Sequence, residues 1–136
     1  MKIAIIDTYY KKFLRHHYKS NLHLSDKNYT QQLTSIISAR FGTSDFYSYN
    51  LSKIGIEAVD LIANCEALQH QWAIENGFKY NKLWSGVPSQ ALRLPFIGKI
   101  LQKLPNKLDI LSEQINNIKP DIIYCQAQGW PQGTPM

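Results

Sequence analysis

Ile3-Ala4-Ile5-Ile6 opens the chain as an unbroken apolar run rich in β-branched residues, and Asp7 ends it. A run without polar alternation marks a strand covered on both faces, which is the situation of a parallel sheet sandwiched between helices. Two later segments share the character. Glu57-Ala58-Val59-Asp60-Leu61-Ile62-Ala63 is the second strand candidate, with Asp60 as its one intrusion, and Asp121-Ile122-Ile123-Tyr124-Cys125 is the third. What lies between them reads as helix. A short helix is expected over Lys11 to Tyr18, followed by a polar loop from Ser20 to Asn28. From Tyr29 the apolar residues Leu33, Ile36, Ile37 and Phe41 fall at helical spacing, and Gly42 stops them. Thr43 or Ser44 is placed to cap a further helix carrying Tyr47, Leu51 and Ile54 on one face and ending at Gly55.

Glu66 to Asn76 is expected to be a helix with Leu68, Trp72 and Ile74, closed by Gly77. Residues 78–95 read as a long loop. Ile97, Leu101, Leu104, Leu108, Leu111, Ile115 and Ile118 then recur in steps of four and three, a buried helical stripe divided near Pro105. Helical connections of this length imply parallel strands joined by right-handed crossovers. The fold class expected is therefore α/β: a Rossmann-like, doubly wound parallel sheet of three strands in the order 2-1-3, flanked by helices. Residues 1–126 form that domain and 127–136 a Gly- and Pro-rich tail. A sheet of three strands leaves edges that invite pairing with another chain, so the chain reads as a fragment of a larger protein, as a homo-oligomer through those edges, or as both.

At 136 residues, 44% hydrophobic and 18% charged, the chain has the composition of an ordinary globular domain and not of a disordered one. Fifteen Lys and Arg against ten Asp and Glu give +5. The excess is clustered. Lys11, Lys12, Arg15 and Lys19 stand with His16 and His17, and no acid occurs between Glu75 and Asp109. Such clusters suit anionic partners or are a solvated surface. No nucleic-acid recognition motif accompanies them, and nucleic acid is not expected as a partner. Trp84, Leu92, Leu94 and Phe96 interleaved with Arg93, Lys99 and Lys103 would suit peripheral membrane contact, although core is the simpler reading. Cys65 and Cys125 have no CxxC spacing, so neither a disulfide framework nor a zinc site is implied. No stretch approaches the roughly eighteen apolar residues of a membrane span. A cytoplasmic location is the expectation, at most peripheral to the inner face of a membrane.

In open α/β sheets ligands bind beyond the carboxyl ends of the strands. That rule selects Asp7, Thr8 and Tyr9 after the first strand, Asn64 and Glu66 after the second, and Gln126 after the third. Hydroxyl, amide and carboxylate groups beside a Tyr ring suit a polyhydroxylated ligand; the alternative for Asn64 and Glu66 is that they cap or charge the next helix. Asp7 is the weak candidate for a general base. His16 and His17, being adjacent, point to different helix faces, which argues against a shared metal, and none is expected. No GxGxxG follows the first strand and no GxxxxGK[ST] is present, so no nucleotide cofactor is expected.

Several segments resemble the spore-maturation-protein-like glycosyltransferases, in that family's order. They are Lys2-Ile3-Ala4-Ile5-Ile6-Asp7-Thr8-Tyr9-Tyr10 with Phe13-Leu14; Phe41-Gly42-Thr43-Ser44-Asp45-Phe46-Tyr47-Ser48 with Gly55-Ile56-Glu57-Ala58; Ile62-Ala63-Asn64-Cys65-Glu66-Ala67-Leu68-Gln69 with Trp72-Ala73; and Lys119-Pro120-Asp121-Ile122-Ile123-Tyr124-Cys125-Gln126. Ala127 departs from the pattern where an acidic residue is usual. The resemblance implies the N-terminal half of a GT-B fold, which shapes the site for a carbohydrate or lipid-linked acceptor. The sugar nucleotide would then be a donor substrate held by a second domain, and the chain alone would have little activity. The other readings are a stand-alone receiver-like or flavodoxin-like module and a basic anion-binding protein. Gln126, standing where a receiver needs an acid, weighs against the first of these.

Overall fold

The computed structural model describes residues 1–79 and 107–126. Within them the chain runs as strand β1 (Lys2–Asp7), helix α1 (Lys11–Ser20), a 3-10 turn (Leu24–Asp26), α2 (Tyr29–Ser38), α3 (Phe46–Lys53), β2 (Glu57–Ile62), α4 (Glu66–Glu75), α5 (Lys107–Ile118) and β3 (Ile122–Cys125). The three strands form one parallel sheet in the order β2-β1-β3. Lys2 pairs with Glu57 and Asp7 with Ile62 on one side of β1, while Ile3 pairs with Ile122 and Ile6 with Cys125 on the other. The expected α/β sheet, its order and its strand direction are all present. Among the described residues no strand pairs with the outer edge of β3, and Ile122, Ile123, Tyr124 and Cys125 are exposed.

Strand residues alternate between the two faces of a sheet. Ala4, Ile6 and Leu61 share one face, and α5 covers it through Leu111, Ile115 and Ile118. These are the last three positions of the apolar stripe seen in the sequence. Its first three positions, Ile97, Leu101 and Leu104, the Pro105 break, the long loop beyond Lys79, the membrane-contact residues Trp84 to Lys103 and the 127–136 tail lie outside the described residues. The opposite face carries Asp60 and Tyr124, which meet α3: Ser48 Oγ donates to the Asp60 carboxylate, and Tyr47 lies 5.4 Å from Tyr124 ring to ring. Asp60 is thus the strand's seat for α3, and its exception to apolarity has a local partner.

A second core gathers Tyr9, Leu14, Ile36, Ile62, Cys65 and Leu68, with Phe13, Tyr18, Leu33 and Phe41 packed around it. Ile36, Ile62 and Leu68 are fully buried, a burial of about 1.5–3 kcal/mol per side chain relative to exposure. Gln32 is buried among them and satisfied: it accepts from Tyr18 Oη at 2.7 Å and donates to the Lys27 carbonyl at 2.7 Å. A buried amide without such partners would cost roughly 1–3 kcal/mol. The segment 20–28 is consequently tied down, and Leu24 within it is buried, where the sequence had suggested only polar loop.

Local ends differ from the sequence reading in two places. Helix α2 stops at Ser38, short of Gly42, and begins with a reciprocal cap between Asn28 and Gln31. Neither Thr43 nor Ser44 caps α3. Asp45 occupies that position, and Ser44, at φ 49°, donates instead to the Ile37 carbonyl at 2.6 Å, closing the end of α2. Ile54 and Ile74, which the sequence reading named among the apolar residues of their helices, are exposed (71% and 59%). Helical spacing located their helices but not the width of the covered stripe.

Candidate functional site

All three strands point their carboxyl ends to one rim, and backbone hydrogen bonds carry the ladder into the loops there. Ala63 N–H donates to the Asp7 carbonyl at 2.9 Å, and Gln126 N–H donates to the Ile6 carbonyl at 2.8 Å. The loops after β1, β2 and β3 are therefore held side by side. Between them opens a pocket of about 370 Å³, within the size range of small-molecule sites. Asp7, Thr8, Tyr9, Asn64 and Gln126 all border it. Glu66 does not. It stands in the first turn of α4 and borders a separate depression, with Arg15 and Lys19 across from it.

Each of the five residues at the pocket has a distinct local role. The Asp7 carboxylate accepts from the Thr8 N–H at 2.7 Å. Burial disfavours its charge and outweighs that hydrogen bond, so its pKa lies above the ordinary carboxylate value. Tyr9 is buried in the second core, and its phenol is pushed up to about 12, chiefly by burial and then by the negative charge of Asp7. It is a core residue whose backbone, more than its hydroxyl, shapes the rim. Asn64 fixes that backbone. Its Oδ1 accepts from Tyr9 N–H at 2.9 Å and its Nδ2 donates to the Tyr9 carbonyl at 2.6 Å. The N-cap of α4 is Cys65, so the capping role open to Asn64 from the sequence is not the one it plays. Gln126 reaches across the rim and donates from Nε2 to Thr43 Oγ1 at 2.7 Å.

Thr43 belongs to the wall that sequence reasoning missed. Tyr10, Lys11, Phe41, Gly42 and Thr43 complete the lining. Tyr10 and Lys11 come from the start of α1, whereas Phe41, Gly42 and Thr43 arrive because the α2–α3 connection folds over the strand ends rather than running straight on. Arg40 (φ 50°) and Gly42 (φ 64°) both adopt left-handed backbone there, a conformation that glycine takes without strain. Phe41 is anchored by stacking on Phe13, with ring centres 4.2 Å apart and planes 11° from parallel, and meets Tyr10 edge-on at 5.6 Å. Read along the chain, Phe41 and Gly42 look like the end of a helix, and only the reversal after Ser38 turns them toward β1. Among the described residues no group of three His, Cys, Asp or Glu side chains could hold a metal ion, and no helix is long and apolar enough to cross a membrane. Both cysteines are free, Cys65 buried and Cys125 exposed.

The chain matches no family model, no curated protein and no solved structure.

The arrangement offers a carboxylate of raised pKa, two threonine hydroxyls, two carboxamides, one ammonium and three aromatic residues around a single opening. Such a wall can accept and donate hydrogen bonds to several hydroxyls at once while a ring covers an apolar C–H face.

Proposed function

We propose that this chain forms the acceptor side of a glycosyltransferase and binds a carbohydrate, free or lipid-linked, in the strand-end pocket. The observation that carries the reading is the convergence of Asp7, Thr8, Thr43 and Gln126 with the Tyr10 and Phe41 rings on one opening at the carboxyl ends of a parallel sheet. Sugars are recognised by that combination: polar groups for the hydroxyls, a ring for the C–H face. Asp7 is the group best placed to take a proton from an acceptor hydroxyl, since a raised pKa brings a carboxylate closer to the working range of a general base. In this reading the sugar-nucleotide site lies on the facing domain of a GT-B pair. Acceptor binding, not turnover, is then the property to measure on this chain.

Saturation-transfer NMR with a panel of mono- and oligosaccharides tests it. The expected result is transfer to at least one sugar, weakened about tenfold or more in Tyr10→Ala and in Gln126→Ala, a loss of the size expected for one hydrogen bond or ring contact. Transfer that is unchanged in both variants, or absent for every sugar of the panel, would overturn the assignment.

A further inference from the structure

Helix α1 turns two unlike faces to its surroundings. Phe13, Leu14, His17 and Tyr18 face the core or are half-buried, whereas Lys11, Lys12, Arg15, His16 and Lys19 are all exposed. No acid occurs between Asp7 and Asp26, so the outer face is cationic along its whole length. Among the described residues, no ion pair engages these cations. Lys11, Arg15 and Lys19 follow each other at intervals of four, the spacing at which like charges on a helix repel. Lys11 and Lys12 also occupy the first turn, where the helix dipole disfavours positive charge. The helix thus carries a charge arrangement that is unfavourable in isolation and is relieved by a counter-anion.

Apolar surface borders the cations on both flanks. On one side a depression of about 570 Å³ is floored by Tyr10, Phe13 and Phe41; on the other, one of about 680 Å³ is bordered by Leu14, Tyr18 and Leu22 together with Asn64 and one carboxylate, Glu66. Tyr10 is 67% exposed at the start of the helix and Leu22 80% exposed just beyond its end. A row of long cationic side chains between an exposed aromatic and an exposed aliphatic residue matches the boundary of an anionic bilayer, where phosphates sit beside acyl chains. A nucleic acid would use the charges and leave Leu22 in water.

We propose that the outer face of α1 docks on an anionic lipid surface, with Lys12, Arg15 and Lys19 on headgroup phosphates and Tyr10 and Leu22 entering the interface. Tyr10 borders both this surface and the strand-end pocket, but Lys12, Arg15, Lys19 and Leu22, the residues varied below, do not border the pocket, so the test is separate from that of the carbohydrate reading.

Co-sedimentation of the full chain with phosphatidylcholine vesicles, with and without phosphatidylglycerol, provides the test. Binding to the anionic vesicles alone is expected, weakening as salt is raised. Each cation removed from such a surface costs about fivefold in partitioning, so Lys12→Gln/Arg15→Gln/Lys19→Gln should lose about a hundredfold. Leu22→Ser, which changes no charge, should lose up to about tenfold through the missing apolar contact. Unchanged circular dichroism in both variants shows that α1 is intact. Equal partitioning to neutral and anionic vesicles, or to anionic vesicles by the wild type and the triple variant, overturns the proposal. Leu22→Ser without effect, together with competition by heparin, would identify a site for soluble polyanions and overturn it as well.

Discussion

Replacing Asn64 by Ala removes both hydrogen bonds that hold the Tyr9 backbone against the end of β2, one accepted at 2.9 Å and one donated at 2.6 Å. Each contributes roughly 0.5–1.5 kcal/mol net, so the pair is worth about 1–3 kcal/mol. For a chain of 136 residues, roughly 4 °C of Tm corresponds to each kcal/mol, giving a fall of about 4–12 °C. Urea unfolding measures the free energy, and hydrogen exchange at the Tyr9 amide reads the same loss locally, because that N–H donates to Asn64. Asn64→Asp sharpens the test. It keeps the acceptor for Tyr9 N–H but turns a second carboxylate oxygen on the Tyr9 carbonyl, so it should be at least as destabilising as Ala near neutral pH. Below its own pKa the acid O–H can donate, and part of the stability should return. An Asn64→Ala protein within about 0.5 kcal/mol of wild type, its Tyr9 amide still protected, would refute the reasoning.

Three further perturbations follow from the fold. Leu68→Ala, at a fully buried side chain in the second core, should cost about 2–5 kcal/mol in urea unfolding; a cost below 1 kcal/mol would mean that the core around α4 collapses onto the space. Asp60→Asn should be more stable than wild type at neutral pH. Burial raises the Asp60 pKa more than its hydrogen bond from Ser48 lowers it, so the folded state holds the proton more tightly than the unfolded chain. That contribution is complete below the unfolded carboxylate value and disappears as pH rises through the folded one, so the advantage of Asn should vanish below about pH 4. Parallel stability curves for the two proteins across that range would contradict it. Gly55→Ala introduces a Cβ at φ 78° with nothing within 4 Å of it, so the expected loss of about 1–2 kcal/mol is a backbone effect alone, and Gly55→Asn should recover part of it.

The sheet was legible because its signal is local and its alternatives are few. Ile3 to Ile6 and Ile122 to Tyr124 carry β-branched runs, and the helical lengths between them leave parallel crossovers as the consistent topology. The strand-end rule then placed Asp7, Thr8, Asn64 and Gln126 at one opening without any motif. The opposite wall was hidden for a physical reason. Phe41, Gly42 and Thr43 reach the pocket through left-handed backbone at Arg40 and Gly42, and an arginine gives no sequence warning that it will adopt it. Asn64 illustrates a different limit. Its type and place suit a cap, a ligand contact or a loop pin, and only the positions of the Tyr9 N–H and C=O select among them. Ile54 and Ile74 show that a periodic apolar residue marks a helix even where its side chain stays exposed.

The central position of β1 also bears on how the molecule is made. β1 precedes both of the strands it pairs with, and each comes from far downstream: Tyr9 meets Asn64 across 55 residues and Lys2 meets Asp121 across 119. At about 5–20 residues per second of synthesis, Ile3 to Ile6 would wait roughly 3–11 seconds for β2 and twice as long for β3. Both closures are long-range, which puts folding of the sheet toward the millisecond-to-second end of the range for small domains. During synthesis the apolar run Ile3 to Ile6 therefore emerges seconds before β2 and β3 can pair with it, and the basic helix α1, whose like charges repel, follows it directly.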